Sequence, residues 1–188
     1  MRNAKTIAAL LLMMGAAAVF ISDAGASTVC EAEMIAASRA EGVPLGVLYA
    51  VGLTETGNKG SLNPYALNIA GKTVITGSAS EALAEFQAAR AKGIKLIDLG
   101  CMQVNHYYHG KAFSSPAQML DPHANVIYAA QFLKSLRQSE GSWTMAVARY
   151  HAGPNNNPAQ KRYICAVIAN LVASGFGGWT PEAKAFCR

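Results

Sequence analysis

The chain has 188 residues and a formal net charge of +5. This length suits one compact domain with a full core, and no linker, internal repeat or low-complexity tract interrupts it. The basic residues are scattered rather than clustered, which argues against nucleic-acid binding, whereas a modest positive charge suits either solubility or an anionic polymer.

The N-terminus has the pattern of an export signal over residues 1–26. Two basic residues come first, an apolar run follows from Ile7 to Ile21, and Ala24-Gly25-Ala26 has the small-x-small form of a cleavage site. The apolar run is shorter than the roughly 20 residues that a membrane-spanning helix needs. We therefore predict cleavage after Ala26 and a mature domain over residues 27–188.

All four cysteines lie in the predicted mature domain, namely Cys30, Cys101, Cys165 and Cys187. An even number of cysteines in an exported protein favours two disulfides. Three pairings are open to four cysteines, and we favour Cys30 with Cys187, which would tie the termini, and Cys101 with Cys165. Because the CxxC and CxxH spacings of structural zinc sites are missing, no metal is expected.

Capping residues, prolines and closing glycines mark the ends of six helices. Thr28 and Glu31 have the spacing of a capping box, as do Ser78 and Glu81. Asp121 is a cap followed by a proline at the first helical position. The predicted helices span approximately residues 29–42, 44–56, 79–91, 122–139, 142–150 and 157–175.

A small β element is predicted between the second and third helices and just after the third. Residues 65–69 and 73–75 flank Ala70-Gly71-Lys72, the pattern of a short hairpin. Residues 94–99 are a candidate third strand. The fold is therefore predicted to be mainly helical.

Glu55 follows the apolar run Leu45–Thr54, close to the end of the second predicted helix. Apolar surroundings favour the protonated form of a carboxyl, which can then donate a proton to a leaving group, as cleavage of a glycosidic bond requires. From this segment alone, an ordinary helix-terminal glutamate is the alternative interpretation.

Two later stretches carry polar side chains in an unusual pattern. In Gly100-Cys101-Met102-Gln103-Val104-Asn105, a glycine turn precedes alternating apolar and amide side chains. Amides can both donate and accept hydrogen bonds to the hydroxyl and acetamido groups of sugars. Tyr150 and His151 end the fifth predicted helix. Taken alone, Gln103 is a turn residue and Tyr150 a core aromatic, but with Glu55 they form a pattern.

In this order, the three blocks resemble the lytic transglycosylase family of the lysozyme superfamily, which is related to the soluble lytic transglycosylase catalytic domain and to goose-type lysozyme. The blocks Leu53–Gly57, Gly100–Asn105 and Ala148–Gly153 are similar to the family forms Glu-Ser, Gly-Leu-Met-Gln and Tyr-Asn-Ala-Gly. The resemblance covers about residues 30–175. It implies a mainly α, lysozyme-like fold, a helical bundle around a substrate groove with the β-hairpin as an insertion.

The resemblance also implies roles for individual residues. Glu55 would be the catalytic acid and base, Gln103 a sugar-binding amide, and Tyr150 the aromatic that hydrogen-bonds near the catalytic carboxyl. Further substrate-binding candidates are Thr56, Met102, Asn105 and His151.

Three positions depart from the family forms. Thr56 replaces serine but keeps a hydroxyl, Cys101 replaces leucine, and His151 replaces asparagine. The segment between Glu55 and Gly100 is longer than usual in the family, and we expect it to shape one wall of the groove.

The implied reaction is cleavage of the β-1,4 bond between N-acetylmuramic acid and N-acetylglucosamine, with a 1,6-anhydro product and no cofactor. Most glycosidases use two carboxylates, and the candidates beside Glu55 are Asp98 and the helix cap Asp121; a single acid suffices in substrate-assisted enzymes. A hydrolytic muramidase, an inactive peptidoglycan-binding scaffold and a disulfide-stabilised inhibitor or adhesion factor are the alternatives.

The resemblance and the size of the domain together imply partners and a location. We expect a periplasmic monomer that acts on peptidoglycan glycan strands and binds no nucleic acid. Small enzymes of this kind often open the wall for an envelope-spanning assembly such as a secretion system, a conjugation apparatus or a flagellum.

Overall fold

The computed structural model describes residues 25–56, 61–152 and 157–188. The helices in this part of the chain are α1 Gly25–Glu41, α2 Leu45–Thr56, α3 Ala79–Ala91, α4 His106–His109, α5 Pro116–Met119, α6 Pro122–Glu140, α7 Trp143–Ala152, α8 Asn157–Ala173 and α9 Pro181–Cys187, with a 3-10 turn at Gly110–Ala112. The strands are β1 Ala66–Ile69, β2 Lys72–Ile75, β3 Ile97–Leu99 and β4 Val104–Asn105. The predicted mainly helical fold with a small β element is confirmed.

The first helix begins earlier than the capping-box pattern predicts. It starts at Gly25 rather than near Val29, so Thr28 lies inside the helix. The helix ends where predicted, because Gly42 adopts a left-handed φ of 71° and donates its N–H to the carbonyl of Ser38. Most of the predicted signal peptide, residues 1–24, lies outside the described residues.

The predicted hairpin forms one edge of a four-stranded antiparallel sheet with the strand order β2-β1-β3-β4. Ile69 pairs with Lys72, so the loop has two residues rather than the predicted three. Ala70 and Gly71 both have positive φ, 51° and 89°, as a type I′ turn requires. β4 has only two residues, too few for an alternation pattern to predict it.

The capping signals of the central helices are confirmed. The Ser78 side chain accepts the N–H of Glu81 at the start of α3, and the Asp121 carboxylate accepts the N–H of Ala124 at the start of α6. The short helices α4 and α5 and the C-terminal α9 were not predicted. Four-residue helices show no periodicity, and α9 follows Gly175, where the last predicted helix ends.

The favoured disulfide pairing is wrong, although all four cysteines are paired. The bonds join Cys30 with Cys101 and Cys165 with Cys187. Cys30 is fully buried on α1 and faces the turn after β3, whereas α9 folds back on α8 and brings Cys187 to Cys165. Neither of these two bonds therefore joins α1 to α9.

Helix packing positions the end of α2 beside the sheet. α1 packs on α6, and α2 packs on α8, so α2 lies inside the bundle with Leu48, Val51 and Leu53 in the core. Gly52 allows this approach, because a Cβ there would lie 2.5 Å from the Met34 side chain. Within the described residues, no helix is long and apolar enough to cross a membrane.

Candidate active site

Glu55 is the penultimate residue of α2 and is the carboxylate around which the site is built. The hydroxyls on either side of it turn back onto the helix, Thr54 to the Ala50 carbonyl and Thr56 to the Gly52 carbonyl. The Glu55 side chain is 16% exposed and lines a cleft. The C-terminal end of a helix repels negative charge, so this position needs compensating donors.

Two side chains from α7 and α8 provide this compensation. The Tyr163 hydroxyl donates to Oε1 of Glu55 at 2.6 Å, and Nδ1 of His151 lies 3.7 Å from the same oxygen. The rings of His151 and Tyr163 stack, with centroids 4.2 Å apart and planes 4° from parallel. The interaction with Glu55 raises the pKa of His151, against the effect of partial burial. Burial raises the pKa of Tyr163 well above its usual value, which keeps the hydroxyl a donor.

The predicted turn at Gln103 lies beside Glu55, but the N–H groups of the Gln103 side chain bond to the protein itself, whereas a sugar-binding amide was expected. Gln103 has a left-handed φ of 46°, and its Nε2 donates to the carbonyls of Ala66 and Gly100, both at 2.9 Å. The amide N–H groups therefore brace the turn against β1. The side-chain oxygen of Gln103 is the group left to accept a hydrogen bond from a sugar, and Gln103 lines the cleft.

The buried Asn125 on α6 fixes the backbone of this turn. Its Oδ1 accepts the N–H of Met102, and its Nδ2 donates to the carbonyls of Leu99 and Met119. Gly100 has a φ of 79°, and a Cβ there would lie 2.6 Å from the Asn125 amide, so glycine is required at this position. Sequence reasoning missed Asn125, since nothing in the pattern of α6 distinguishes it.

Tyr150 lines the cleft, but its hydroxyl donates to the Met102 carbonyl at 2.7 Å. Burial raises the pKa of Tyr150 well above its usual value, with a further contribution from Glu55. The hydroxyl that contacts the carboxylate belongs to Tyr163, which sequence reasoning missed. The spacing of Tyr163, Ile164 and Val167 on α8 indicates a buried helix face, but not that this face meets Glu55.

Two predicted substrate-binding side chains do not reach the cleft. Met102 is fully buried in the core, and only its carbonyl serves the site, as the acceptor for Tyr150. Thr56 is 2% exposed, and its hydroxyl is bonded to its own helix. Both predictions are therefore corrected, because these side chains face the core and not the cleft.

Asn105 and Asp98 form a polar pair at the floor of the cleft. They face each other across β3 and β4, and Nδ2 of Asn105 donates to Oδ1 of Asp98 at 2.6 Å. The other amide atom of Asn105 caps α4 by accepting the N–H groups of Tyr107 and Tyr108. Burial raises the pKa of Asp98 to about 6, and the Glu55 charge adds to this, while the bond from Asn105 acts in the opposite direction.

The cleft, with a volume of about 410 Å³, has two different walls. One wall is the hairpin with Asn68, Ala70 and Gly71, together with Leu96. The other is an aromatic wall that consists of Tyr108, His109, Tyr128, Phe132 and Tyr150. His109 and Tyr128 are joined by a hydrogen bond of 2.8 Å. The geometry thus places part of the long segment before Gly100 along the groove, as expected.

The aromatic wall was not predicted, although a signal for it exists. Residues 106–109 are His-Tyr-Tyr-His directly after Asn105, and this concentration of rings beside a polar turn is typical of a binding surface. Pyranose rings have apolar faces that can pack on such side chains. The arrangement of a half-buried carboxylate, amide groups and aromatic rings in one groove suits a carbohydrate chain.

Comparison with protein-family models matches residues 33–167 to the Transglycosylase SLT domain. Comparisons with curated proteins and with solved structures gave no match. The matched range contains Glu55, the turn at Gln103 and the tyrosines of α7 and α8. Because it spans well over half of the sequence, the chain belongs to the transglycosylase SLT domain family, the lytic transglycosylases of the lysozyme-like superfamily.

Proposed function

We propose that the protein is an exported lytic transglycosylase that cleaves the β-1,4 bond between N-acetylmuramic acid and N-acetylglucosamine in peptidoglycan. The observation that carries this proposal is Glu55, a carboxylate that is 16% exposed, lies in a groove and is bound by a tyrosine hydroxyl. Family membership supports peptidoglycan as the substrate.

In the proposed mechanism, Glu55 acts twice. The protonated carboxyl gives its proton to the glycosidic oxygen as the bond to the muramyl C1 breaks, while the muramyl 2-acetamido carbonyl oxygen bonds to C1. The Glu55 carboxylate then takes the proton of the C6 hydroxyl. The C6 oxygen bonds to C1 and displaces the acetamido oxygen, which closes the 1,6-anhydro ring and consumes no water.

In this mechanism the two carboxyl oxygens of Glu55 have different roles. Oε1 accepts from Tyr163 at 2.6 Å, which supports Oε2 as the oxygen that carries the catalytic proton. Tyr163 and His151 then act as positioning residues that hold the carboxyl against rotation. The same contacts stabilise the carboxylate after the first proton transfer.

The polar groups of the cleft are proposed to orient the sugars. Gln103 offers its side-chain oxygen as an acceptor, and the Asn105 side chain, which lines the cleft, lies beside Asp98. Tyr150 and the rest of the aromatic wall would pack against pyranose faces. These contacts bring the acetamido group and C6 hydroxyl into the reacting geometry.

Asp98 favours one second candidate function, a hydrolytic muramidase. It lies in the same cleft as Glu55, and a carboxylate there could direct a water molecule to C1. The substrate-assisted route needs no such group, so the two candidates predict different products from one substrate.

Product analysis distinguishes them. Purified sacculi are digested with the protein, and the released muropeptides are identified by mass spectrometry with and without borohydride reduction. We expect 1,6-anhydromuramyl ends, which borohydride does not reduce. Only reducible muramyl ends would establish the muramidase, and binding without any release would establish an inactive scaffold.

Export and partners are also part of the proposal. A periplasmic monomer cleaved after Ala26 would start at Ser27, which N-terminal sequencing of the protein from the envelope fraction tests; residue 1 as the N-terminus would refute cleavage.

An envelope-spanning assembly is the proposed partner, supported by exposed apolar side chains outside the cleft at Ile35, Phe176 and Phe186. Recovery of no assembly component from crosslinked envelopes would count against it.

A further inference from the structure

A second cavity, of about 290 Å³, also borders Glu55. Its lining residues are Thr54, Glu55, His151, Ala159, Arg162 and Tyr163. Glu55 and His151 also line the main cleft, so the two spaces meet at the carboxylate. A substrate whose scissile bond lies at Glu55 therefore has groups next to the second cavity.

The two spaces differ in charge. Glu55 and His151 line both spaces, but the main cleft adds Asp98, whereas the second cavity adds Arg162. Arg162 lies close enough to His151 to oppose the rise in the pKa of His151 that Glu55 causes. An anionic group of a substrate is repelled by the Asp98 end and attracted by the Arg162 end.

Arg162 is available to bind such a group. It is exposed, and within the described part of the chain it forms no hydrogen bond or ion pair. The adjacent Lys161 is committed elsewhere, since its Nζ donates to the carbonyl of Arg188 and lies 5.5 Å from the ring centroid of Phe186. Of these two neighbours on α8, Arg162 therefore lines the cavity, whereas Lys161 is directed away from it.

The negative charge of the proposed substrate lies on its stem peptides. The hexose rings of peptidoglycan are neutral, whereas each muramyl lactyl group carries a stem peptide with free carboxylates. Since the muramyl residue lies at the scissile bond, its lactyl group emerges beside Glu55. We propose that the second cavity is a subsite for the muramyl stem peptide and that Arg162 binds a carboxylate of that peptide, an inference that rests on the proposed function.

The guanidinium group suits this role. It presents N–H donors in a planar fork that matches both oxygens of a carboxylate, which a lysine cannot do. The subsite makes the enzyme prefer glycan strands that still carry peptides over strands from which an amidase has removed them.

The test measures this preference for three proteins. The ratio of kcat/KM on peptide-bearing glycan strands to kcat/KM on amidase-stripped strands is determined for the wild type, Arg162→Ala and Lys161→Ala. We expect Arg162→Ala to lower the ratio about tenfold, the effect of one charge-assisted hydrogen-bonded contact. Lys161→Ala removes the same charge one residue away and is expected to keep the wild-type ratio.

Two outcomes would overturn the inference while leaving the proposed function intact. One is an unchanged ratio in Arg162→Ala, and the other is an equal fall in Lys161→Ala, which would indicate general electrostatic attraction to the strand. A wild type that cleaves neither substrate would instead refute the proposed function. Arg162→Lys provides a further control, because a point charge restores attraction but not the bidentate contact, so we expect only partial recovery of the ratio.

Discussion

Glu55 is held by contacts from three helices. α2 carries it, α7 brings His151 to 3.7 Å from Oε1, and α8 donates the Tyr163 hydroxyl to the same oxygen. A carboxylate in the last turn of a helix is destabilised by the helix dipole, so these contacts compensate for an unfavourable position. At the scale of single residues, the position of the Glu55 carboxylate thus depends on the hydroxyl of Tyr163.

Tyr163→Phe removes this hydroxyl but keeps the ring that stacks on His151. A hydrogen bond to a charged group contributes about 1.5–3 kcal/mol, so we expect kcat to fall roughly 10- to 100-fold with little change in KM. The measurement is the rate of muropeptide release from sacculi. Tyr107→Phe is the matched control, since Tyr107 is 56% exposed and does not line the cleft. Wild-type kcat in Tyr163→Phe would contradict the positioning role.

Asp98 links the site to pH. Its pKa in the folded protein is about 6, above the ordinary aspartate value of 3.8, because burial disfavours the charged form. At a pH between 3.8 and about 6, Asp98 therefore takes up a proton when the chain folds. The stability contributed by Asp98 is fully present below the lower value and is lost as the pH rises through the upper one.

Asp98→Asn removes this ionisation and keeps an oxygen that can accept from Asn105. We expect the variant to melt a few degrees above the wild type at about pH 7, and to differ little at about pH 4. Calorimetry at both values measures the difference. An equal change in Tm at the two pH values would show that Asp98 is not titrating as described.

At the scale of elements, the turn between β3 and β4 places Gln103 in the cleft, and the two strands supply Asp98 and Asn105. Three contacts fix this turn. The Asn125 amide accepts from its backbone, the Gln103 side chain donates to a carbonyl of β1, and a disulfide joins Cys101 to α1. The second disulfide joins α8 to α9 and does not touch the turn. The two disulfides therefore contribute differently to the geometry of the site.

Replacing each disulfide with serines separates these contributions. The bonds close segments with sequence separations of 71 and 22 residues, for which chain entropy gives about 4 and about 3 kcal/mol. We expect Cys30→Ser/Cys101→Ser to be less stable in urea and less active. Cys165→Ser/Cys187→Ser should retain its activity at temperatures where it is folded. Equal loss of activity in both double variants would contradict the bracing of the turn.

Local signals predicted the elements well where residues act on their own backbone. Ser78 and Asp121 cap α3 and α6 as their spacing indicates, and Ala70-Gly71 makes the hairpin turn. The disulfide pairing failed because it depends on which helix face meets which turn. This information lies in long-range packing and not in spacing along the chain.

At the scale of the whole molecule, the groove is formed where the helical bundle meets the small sheet. The sheet supplies Asp98 and Asn105, and the bundle supplies Glu55, His151 and Tyr163. The motif order predicted Glu55, Gln103 and Tyr150 as members of one site, and the structure brings them together along the cleft. Their individual contacts could not be predicted, since Tyr163 reaches Glu55 across 108 positions of sequence.

In the proposed mechanism, Glu55 acts first as an acid and then as a base. Glu55→Gln keeps the shape of the side chain and can still accept from Tyr163, but it can carry no transferable proton. Sacculi are incubated with the wild type and with Glu55→Gln at equal concentrations, and the soluble products are analysed by mass spectrometry. We expect 1,6-anhydromuropeptides from the wild type and none from the variant, with sacculus binding retained by both. Release of anhydromuropeptides by Glu55→Gln at the wild-type rate would contradict this mechanism.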